Sequence, residues 1–197
     1  SEMCIRDRIE VVWTVIPILI LLVIAVPSFR LLYDQATPEA DMTIKATGYQ
    51  WYWGYEYPDH GDIAFDALML EDDELQPGQP RLLTTDNAVV VPVDTTVRVL
   101  VTAADVIHNW AMPAFGVKMD AYPGRLNETW FRANKTGTYY GQCSELCGIR
   151  HSFMPIMVKV VEKEEFIAWV EQAKVEFASY DEAVSYTHLT LPTNKAV

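Results

Sequence analysis

The sequence is short of cysteine, with three in 197 residues, too few for the disulfide framework that staples small secreted domains. It is also short of positive charge: 15 Lys and Arg stand against 27 Asp and Glu, a formal net charge of −12. Such a surface excludes nucleic acid as the expected partner and favours encounter with a cationic one. Internal repeats and low-complexity stretches are missing as well. With charged residues at only 21% and apolar ones at 50%, intrinsic disorder is excluded, and the length suits one domain with an appendage.

What is there begins with residues 11–29, 19 consecutive uncharged positions of which 13 are Val, Ile, Leu or Phe. At a rise of about 1.5 Å per residue this run covers the roughly 30 Å hydrocarbon core of a bilayer. On an insertion scale the thirteen side chains contribute on the order of −4 to −8 kcal/mol, before Pro17 and Pro27 are counted against them. A signal peptide is the competing reading, but its apolar region is shorter and ends in small residues, whereas this one ends in Ser28-Phe29-Arg30-Leu31-Leu32-Tyr33. The run therefore reads as a membrane anchor, followed by a polar connector over 34–41.

From residue 42 the pattern alternates. Residues 42–57 read as one long strand with Tyr49, Trp51, Trp53, Tyr55 and Tyr57 on a single face. Further strand-like runs occupy 63–70, 81–84, 88–93, 96–103, 125–131, 137–141 and 155–161, separated by turn signals such as Tyr122-Pro123-Gly124. Short strands at this spacing predict a sandwich or barrel. Over 162–178 the period changes: Phe166, Trp169, Val170, Ala173 and Phe177 mark one face of a helix, with acidic residues in its first turn. Residues 1–8 and 184–197 continue neither pattern and are expected to be a non-native leader and tail, so Cys4 is assigned no role.

The chemistry concentrates in Cys143-Ser144-Glu145-Leu146-Cys147-Gly148-Ile149-Arg150-His151-Ser152-Phe153-Met154. Soft thiolate and thioether donors with imidazole select copper over hard cations. Two cysteines four apart in one loop suit a pair of bridged metal ions. His108, placed in a turn after the strand over 96–103, is the candidate second imidazole, since loop residues on a rigid barrel suit metal binding. Three rivals remain at this point. A structural disulfide would use only the cysteines, zinc would seldom take Met, and a redox dithiol normally spaces its cysteines by two residues.

This loop, preceded by Gly48-Tyr49-Gln50-Trp51-Tyr52-Trp53 and His108-Asn109-Trp110, resembles subunit II of haem-copper cytochrome c oxidases, in a form similar to the alphaproteobacterial one. The resemblance spans roughly residues 10–178. It implies a mainly β fold, a cupredoxin-like Greek-key β-barrel, preceded by one transmembrane helix and followed by a C-terminal helix. The plan is a transmembrane helix over 9–33, a linker over 34–41, the copper A domain over 42–161 and the helix over 162–180. The family carries a two-helix membrane hairpin, of which this chain matches the second helix, so truncation at the front is expected.

The same resemblance implies a binuclear copper A centre held by His108, Cys143, Cys147, His151, Met154 and the backbone carbonyl of Glu145. It turns the Glu145 carboxylate toward a magnesium or manganese ion shared with subunit I. Trp51 matches the aromatic at which electrons from cytochrome c arrive, although the aromatic strand is equally a core pattern. Glu56, Asp86, Asp105 and Asp120 match acidic positions that dock cytochrome c, while Ala104 stands where some members carry another acid. Glu10 matches the mouth of a proton-uptake path, or marks the helix boundary. Implied partners are cytochrome c, subunits I and III, and the lipid bilayer. The implied location is the bacterial inner membrane with the copper domain in the periplasm, or the mitochondrial inner membrane facing the intermembrane space.

Rival functions differ in identifiable residues. Nitrous oxide reductase carries a similar copper loop behind a propeller, without this anchor. A metal-free subunit II of quinol oxidase type would not need Cys143, Cys147, His151 and Met154. A copper-delivery module would bind one exposed Cu(I).

Overall fold

The computed structural model describes residues 2–36, 38–61 and 63–177 and divides into two compact units, Ser1–Pro38 and Glu39–Val197. The first is a single helix, α1 (Glu2–Asp34), which contains Pro17 and Pro27. Its segment Arg6–Asp34 has a mean hydropathy of 2.8, and none of that apolar stretch is buried within the protein. A helix of this length and composition has the dimensions of a membrane span. Helical backbone also covers residues 2–8, which the hydrophobic pattern had set apart. Arg6 and Glu10, one turn apart, form a 3.2 Å ion pair. The expected tail over 184–197 lies outside the described residues.

The second unit is mainly β. Among the described residues, ten strands form two five-stranded sheets: β1 (Met42–Tyr49), β2 (Tyr52–Tyr57), β3 (Ile63–Ala67), β4 (Val89–Pro92), β5 (Thr96–Ala103), β6 (His108–Met112), β7 (Val117–Ala121), β8 (Asn127–Arg132), β9 (Gly137–Cys143) and β10 (Pro155–Val161). One sheet runs β3-β2-β1-β5-β8 and the other β4-β10-β9-β6-β7. The pairs β1/β5 and β4/β10 are parallel, and the other pairings between neighbouring strands are antiparallel. The edge strands β7 and β8 lie side by side and close one flank of the barrel. Alternation explains most of this: β5 buries every second residue, so Val97, Val99, Val101 and Ala103 fill the core.

The single long strand over 42–57 is corrected to a hairpin. Gln50 and Trp51 make the turn, and Gly48 of β1 pairs back on Trp53 of β2. Trp53, Tyr55 and Tyr57 are fully buried, whereas Tyr49 and Trp51 are only partly covered. The period of two runs unbroken through a chain reversal because the turn consumes two residues. The run over 81–84 is a turn, not a strand. Two strands escaped the pattern, β6 and β7, and His108 is the first residue of β6, not part of a turn. All five β6 residues are buried, so the strand shows no alternation.

Helix α2 (Lys163–Glu176) buries Phe166, Val170 and Ala173. Its Trp169 ring lies 5.2 Å from that of Tyr57 at the end of β2, and Phe177 stacks on Phe65 at 4.8 Å. Aromatic contact at these separations adds to area burial, and it fixes the helix on the β domain.

Candidate metal centre

The donors converge because three strand ends meet. Cys143 closes β9, Met154 immediately precedes β10, and His108 opens β6. The β9/β10 pairing sets Pro155 opposite Gln142, and the Cys143 amide donates to the Met154 carbonyl at 3.4 Å. The residues between them therefore form a loop stapled at its base. Cys143 and Cys147 are free thiols with their sulfurs 3.9 Å apart, so a disulfide is not the arrangement here. His108 Nδ1 is 4.0 Å from Cys143 Sγ, while His151 Nδ1 and Met154 Sδ are each 3.5 Å from Cys147 Sγ. The ligating atoms of His108, Cys143 and Cys147 all lie within 4.8 Å of one another, and the three residues are buried.

The orientation of His108 has several causes. Its Nε2 is 2.9 Å from Asp105 Oδ1, which places the proton there and leaves Nδ1 as the acceptor facing the sulfurs. Trp53 packs edge-on at 6.0 Å. Gly48 leaves room for the ring, since a Cβ at that position would fall 2.7 Å from His108 Cδ2. Asp105 is fixed in turn by the amides of Gln50 and Val106, which donate to it at 2.7 and 2.6 Å.

Electrostatics point the same way. Burial raises the Cys143 thiol, but its contacts with the His108 ring, the Glu145 and Asn109 backbone and the His151 ring together outweigh this and bring it down to about 7. Cys147 is pushed up to about 12, first by burial and then by the charge of Cys143. The pair thus holds one thiolate readily and resists a second until a cation sits between the sulfurs. Burial lowers the His108 ring, yet its contacts with Cys143 and Asp105 leave it raised. Burial works against the Asp105 carboxylate too, but bonds from His108 and two amides hold it below the ordinary range. Two thiols, two imidazoles and a thioether form a soft set that fits copper.

The Glu145 carbonyl lies 3.4 Å from Cys143 Sγ, while the residue also lines a separate concavity with Asn109, Asp120 and Arg125. Trp51 reaches the cluster directly, its Nε1 donating to the Cys147 carbonyl at 3.2 Å. It shares an open concavity with Asp86, Arg150 and Phe153. Of the other acidic candidates, Asp105 bonds the Trp51-bearing turn through Gln50. Glu56 pairs with Lys45 at 2.7 Å, and Asp120 accepts from Asn109 in the Glu145 concavity. Sequence reasoning overlooked Asp105 as the partner of His108, although an acid three residues before an imidazole was the available signal. It also overlooked Gln50 and Gly48.

Residues 42–161 match the family of the cytochrome c oxidase subunit II periplasmic domain, and residues 2–31 match the subunit II transmembrane domain. The chain belongs to the cytochrome c oxidase subunit II family. A probable subunit 2 of Rickettsia bellii is 62% identical over 163 residues, 82% of this chain and 61% of that protein. Subunit 2 of Branchiostoma floridae is 57% identical over 166 residues, 83% of this chain and 71% of that protein. The chain therefore spans about half to seven-tenths of the curated relatives it matches. The periplasmic domain of subunit II from Bradyrhizobium japonicum superposes with a TM-score of 0.68 at 64% identity, covering 72% of this chain and 99% of that one. A mixed-disulfide intermediate between a thioredoxin-like protein and subunit II of cytochrome c oxidase matches with a TM-score of 0.63, also at 64% identity, over 71% of this chain and 95% of that one. As a subunit II protein, the chain combines a transmembrane helix with a cupredoxin-like domain whose His108, Cys143 and Cys147 form a cluster that could hold a metal ion.

Proposed function

We propose that this chain is the electron-accepting subunit of a terminal respiratory oxidase, with a binuclear copper A centre held by His108, Cys143, Cys147, His151, Met154 and the Glu145 carbonyl. The observation that carries the reading is the convergence of two free thiols, 3.9 Å apart, with Nδ1 of His108 and His151 and Sδ of Met154. Bound there, a copper pair supplies one-electron storage shared over two ions. The residues do the rest. Cys143 and Cys147 would supply two thiolates to hold the pair, and Asp105 keeps His108 in the tautomer that presents Nδ1. The loop staple at Cys143 and Met154 holds the donors in place through a redox cycle, so little rearranges.

Trp51 is the surface group at which an electron from ferrocytochrome c arrives, because its indole joins the concavity containing Asp86 to the Cys147 peptide. Asp86, Asp105, Glu56 and Asp120 supply negative charge for a lysine-rich partner. The electron passes to haem in subunit I, where oxygen is reduced to water. The Glu145 carboxylate, with the carbonyl of the same residue facing Cys143, contributes to a magnesium or manganese ion shared with that subunit. Glu10 opens a proton-uptake path. The protein resides in the bacterial inner membrane with its β domain in the periplasm and subunits I and III beside it. Before metal arrives, Cys143 and Cys147 are close enough to be oxidised to a disulfide by exchange with another disulfide, which is reduced to two thiols, and a thioredoxin-like dithiol returns them to thiols while itself becoming the disulfide.

Copper analysis and electron paramagnetic resonance of the reconstituted chain test this reading. Two copper ions sharing one unpaired electron are expected, and Cys143→Ser or Cys147→Ser abolishes that signal. A two-copper spectrum that survives either change refutes the assignment.

A further inference from the structure

Three segments far apart in sequence meet at the turn between β1 and β2. The Gln50 side chain donates from Nε2 to the Cys147 carbonyl at 2.9 Å, beside the Trp51 indole, which donates to the same oxygen at 3.2 Å. The Gln50 backbone amide meanwhile donates to Asp105 Oδ2 at 2.7 Å, and the other oxygen of that carboxylate contacts His108 Nε2. Residue 50 is thus bonded directly to the peptide of one metal-binding residue and, through Asp105, to the ring of another. Gly148 follows Cys147 with φ +123, and a Cβ there would lie 3.0 Å from Trp51 Cζ2 and 3.2 Å from Gln50 Nε2. The loop backbone is pressed onto both side chains.

We infer that Gln50 is a positioning residue, whose amide fixes the plane of the Cys147 peptide and so sets the Cys147 sulfur in register with His108; this rests on the copper reading above. Cys147 is tied to the rest of the domain by two donors on one carbonyl, and rotation of that peptide would swing the sulfur relative to Cys143 and Met154. The indole alone is a single donor that leaves the plane free to pivot, whereas two donors from different directions remove that freedom. Gln50 is otherwise exposed, so it has no core-filling role. A donor is required: a carboxylate at this position would face a carbonyl oxygen, and an alkyl chain would leave that oxygen with one partner.

The test compares Gln50→Leu, Gln50→Glu and Gln50→Lys in the full chain, each first shown to keep the parent's circular-dichroism spectrum and a cooperative unfolding transition. In the metal-free chain the measured quantity is the rate at which the Cys143 and Cys147 thiols are oxidised to a disulfide by a small-molecule disulfide. In the copper-loaded chain it is the hyperfine pattern and the copper affinity. Loss of one hydrogen bond of this kind corresponds to about a fivefold change in an equilibrium constant. Gln50→Leu is expected to weaken copper uptake about fivefold, alter the hyperfine pattern and speed thiol oxidation by a similar factor. Gln50→Glu exceeds it, and Gln50→Lys, which restores a donor, returns toward the parent. Oxidation rates equal across all four chains would overturn the inference, as would a lysine variant that behaves like leucine. A parent chain that takes up no copper pair refutes the proposed function instead, and the metal-free oxidation rates then decide the role of Gln50 alone.

Discussion

Gly48→Ala drives a methyl group into the His108 ring. Gly48 lies in β1, paired to Trp53 on one side and Ala103 on the other. An added Cβ would meet His108 Cδ2, Cγ and Cβ at 2.7, 2.9 and 3.0 Å. Neither party yields easily, because both strand partners hold Gly48 and the His108 ring is fully buried, pinned by Asp105 and Trp53. Overpacking of this kind costs about 1–3 kcal/mol, and the backbone gain from replacing glycine in a strand offsets about 0.5–1 of it. The net loss of about 1–2 kcal/mol corresponds to a fall of about 2–8 °C in Tm for a domain of this size. The displaced ring also misdirects Nδ1, and the same free energy expressed in the bound state weakens copper uptake by about 5–30-fold. Thermal unfolding of the metal-free chain in detergent, followed by copper titration, measures both. Gly54→Ala is the control, since its nearest neighbours are the ends of Tyr49 and Asp66 side chains at 3.1 and 3.2 Å, and it is expected to do less. Equal unfolding temperatures and equal copper uptake for Gly48→Ala and the parent would show that His108 is not wedged as described.

Tyr57→Phe removes a hydroxyl that donates to the Val90 carbonyl at 3.0 Å and accepts from the Val90 amide at 2.9 Å. Two buried backbone groups lose a partner, so a loss of about 1–3 kcal/mol is expected in urea unfolding, with an unchanged copper spectrum. The Asp105–His108 pair gives the metal-free chain a particular pH dependence. The depressed Asp105 contributes stability present above its ordinary value of 3.8 and lost as pH falls through the lower folded value. The raised His108 contributes stability complete below 6.5 and lost as pH rises through the higher folded value. Urea midpoints should therefore fall on the acid side as Asp105 is protonated, whereas above pH 6.5 the loss from His108 is opposed by the Cys143 thiol, whose lowered folded value of about 7 adds stability as pH rises toward 9; Asp105→Asn should flatten the acid limb, and an identical acid limb in that variant refutes the account. Copper uptake should instead improve with pH, because Nδ1 and the thiols must lose protons. For the partner surface, Asp86→Asn should slow association of cytochrome c at low salt and leave dissociation nearly unchanged, the difference vanishing near physiological ionic strength, where the Debye length is about 8 Å. A stopped-flow salt series checks it.

The convergence of the soft side chains was legible because four of them fall within twelve consecutive residues, Cys143 to Met154. The membrane helix was legible from length and composition alone. β5 and β10 were read to the residue, since β5 alternates cleanly and β10 is bounded by Pro155 and the start of a helix period. The hairpin at Gln50 and Trp51 was not, because aromatic alternation continues through a turn that consumes an even number of residues. β6 was hidden for the opposite reason: a strand buried at every position has no period to detect. The contacts of Gln50 join residues 55 and 97 positions apart, and no local pattern encodes such a meeting. Gly48 likewise looks like any strand glycine until the ring it accommodates is in view.

β2 touches the loop that bears the thiols at one end, through the turn that precedes it, and carries α2 at the other, through Tyr57 and Trp169. Six residues of extended chain separate the two by about 20 Å. A fluorophore, affinity handle or surface tether placed on the outward side of α2, at Ile167 or Val175, would therefore report on or immobilise the protein without disturbing the chemistry at the far end of the strand.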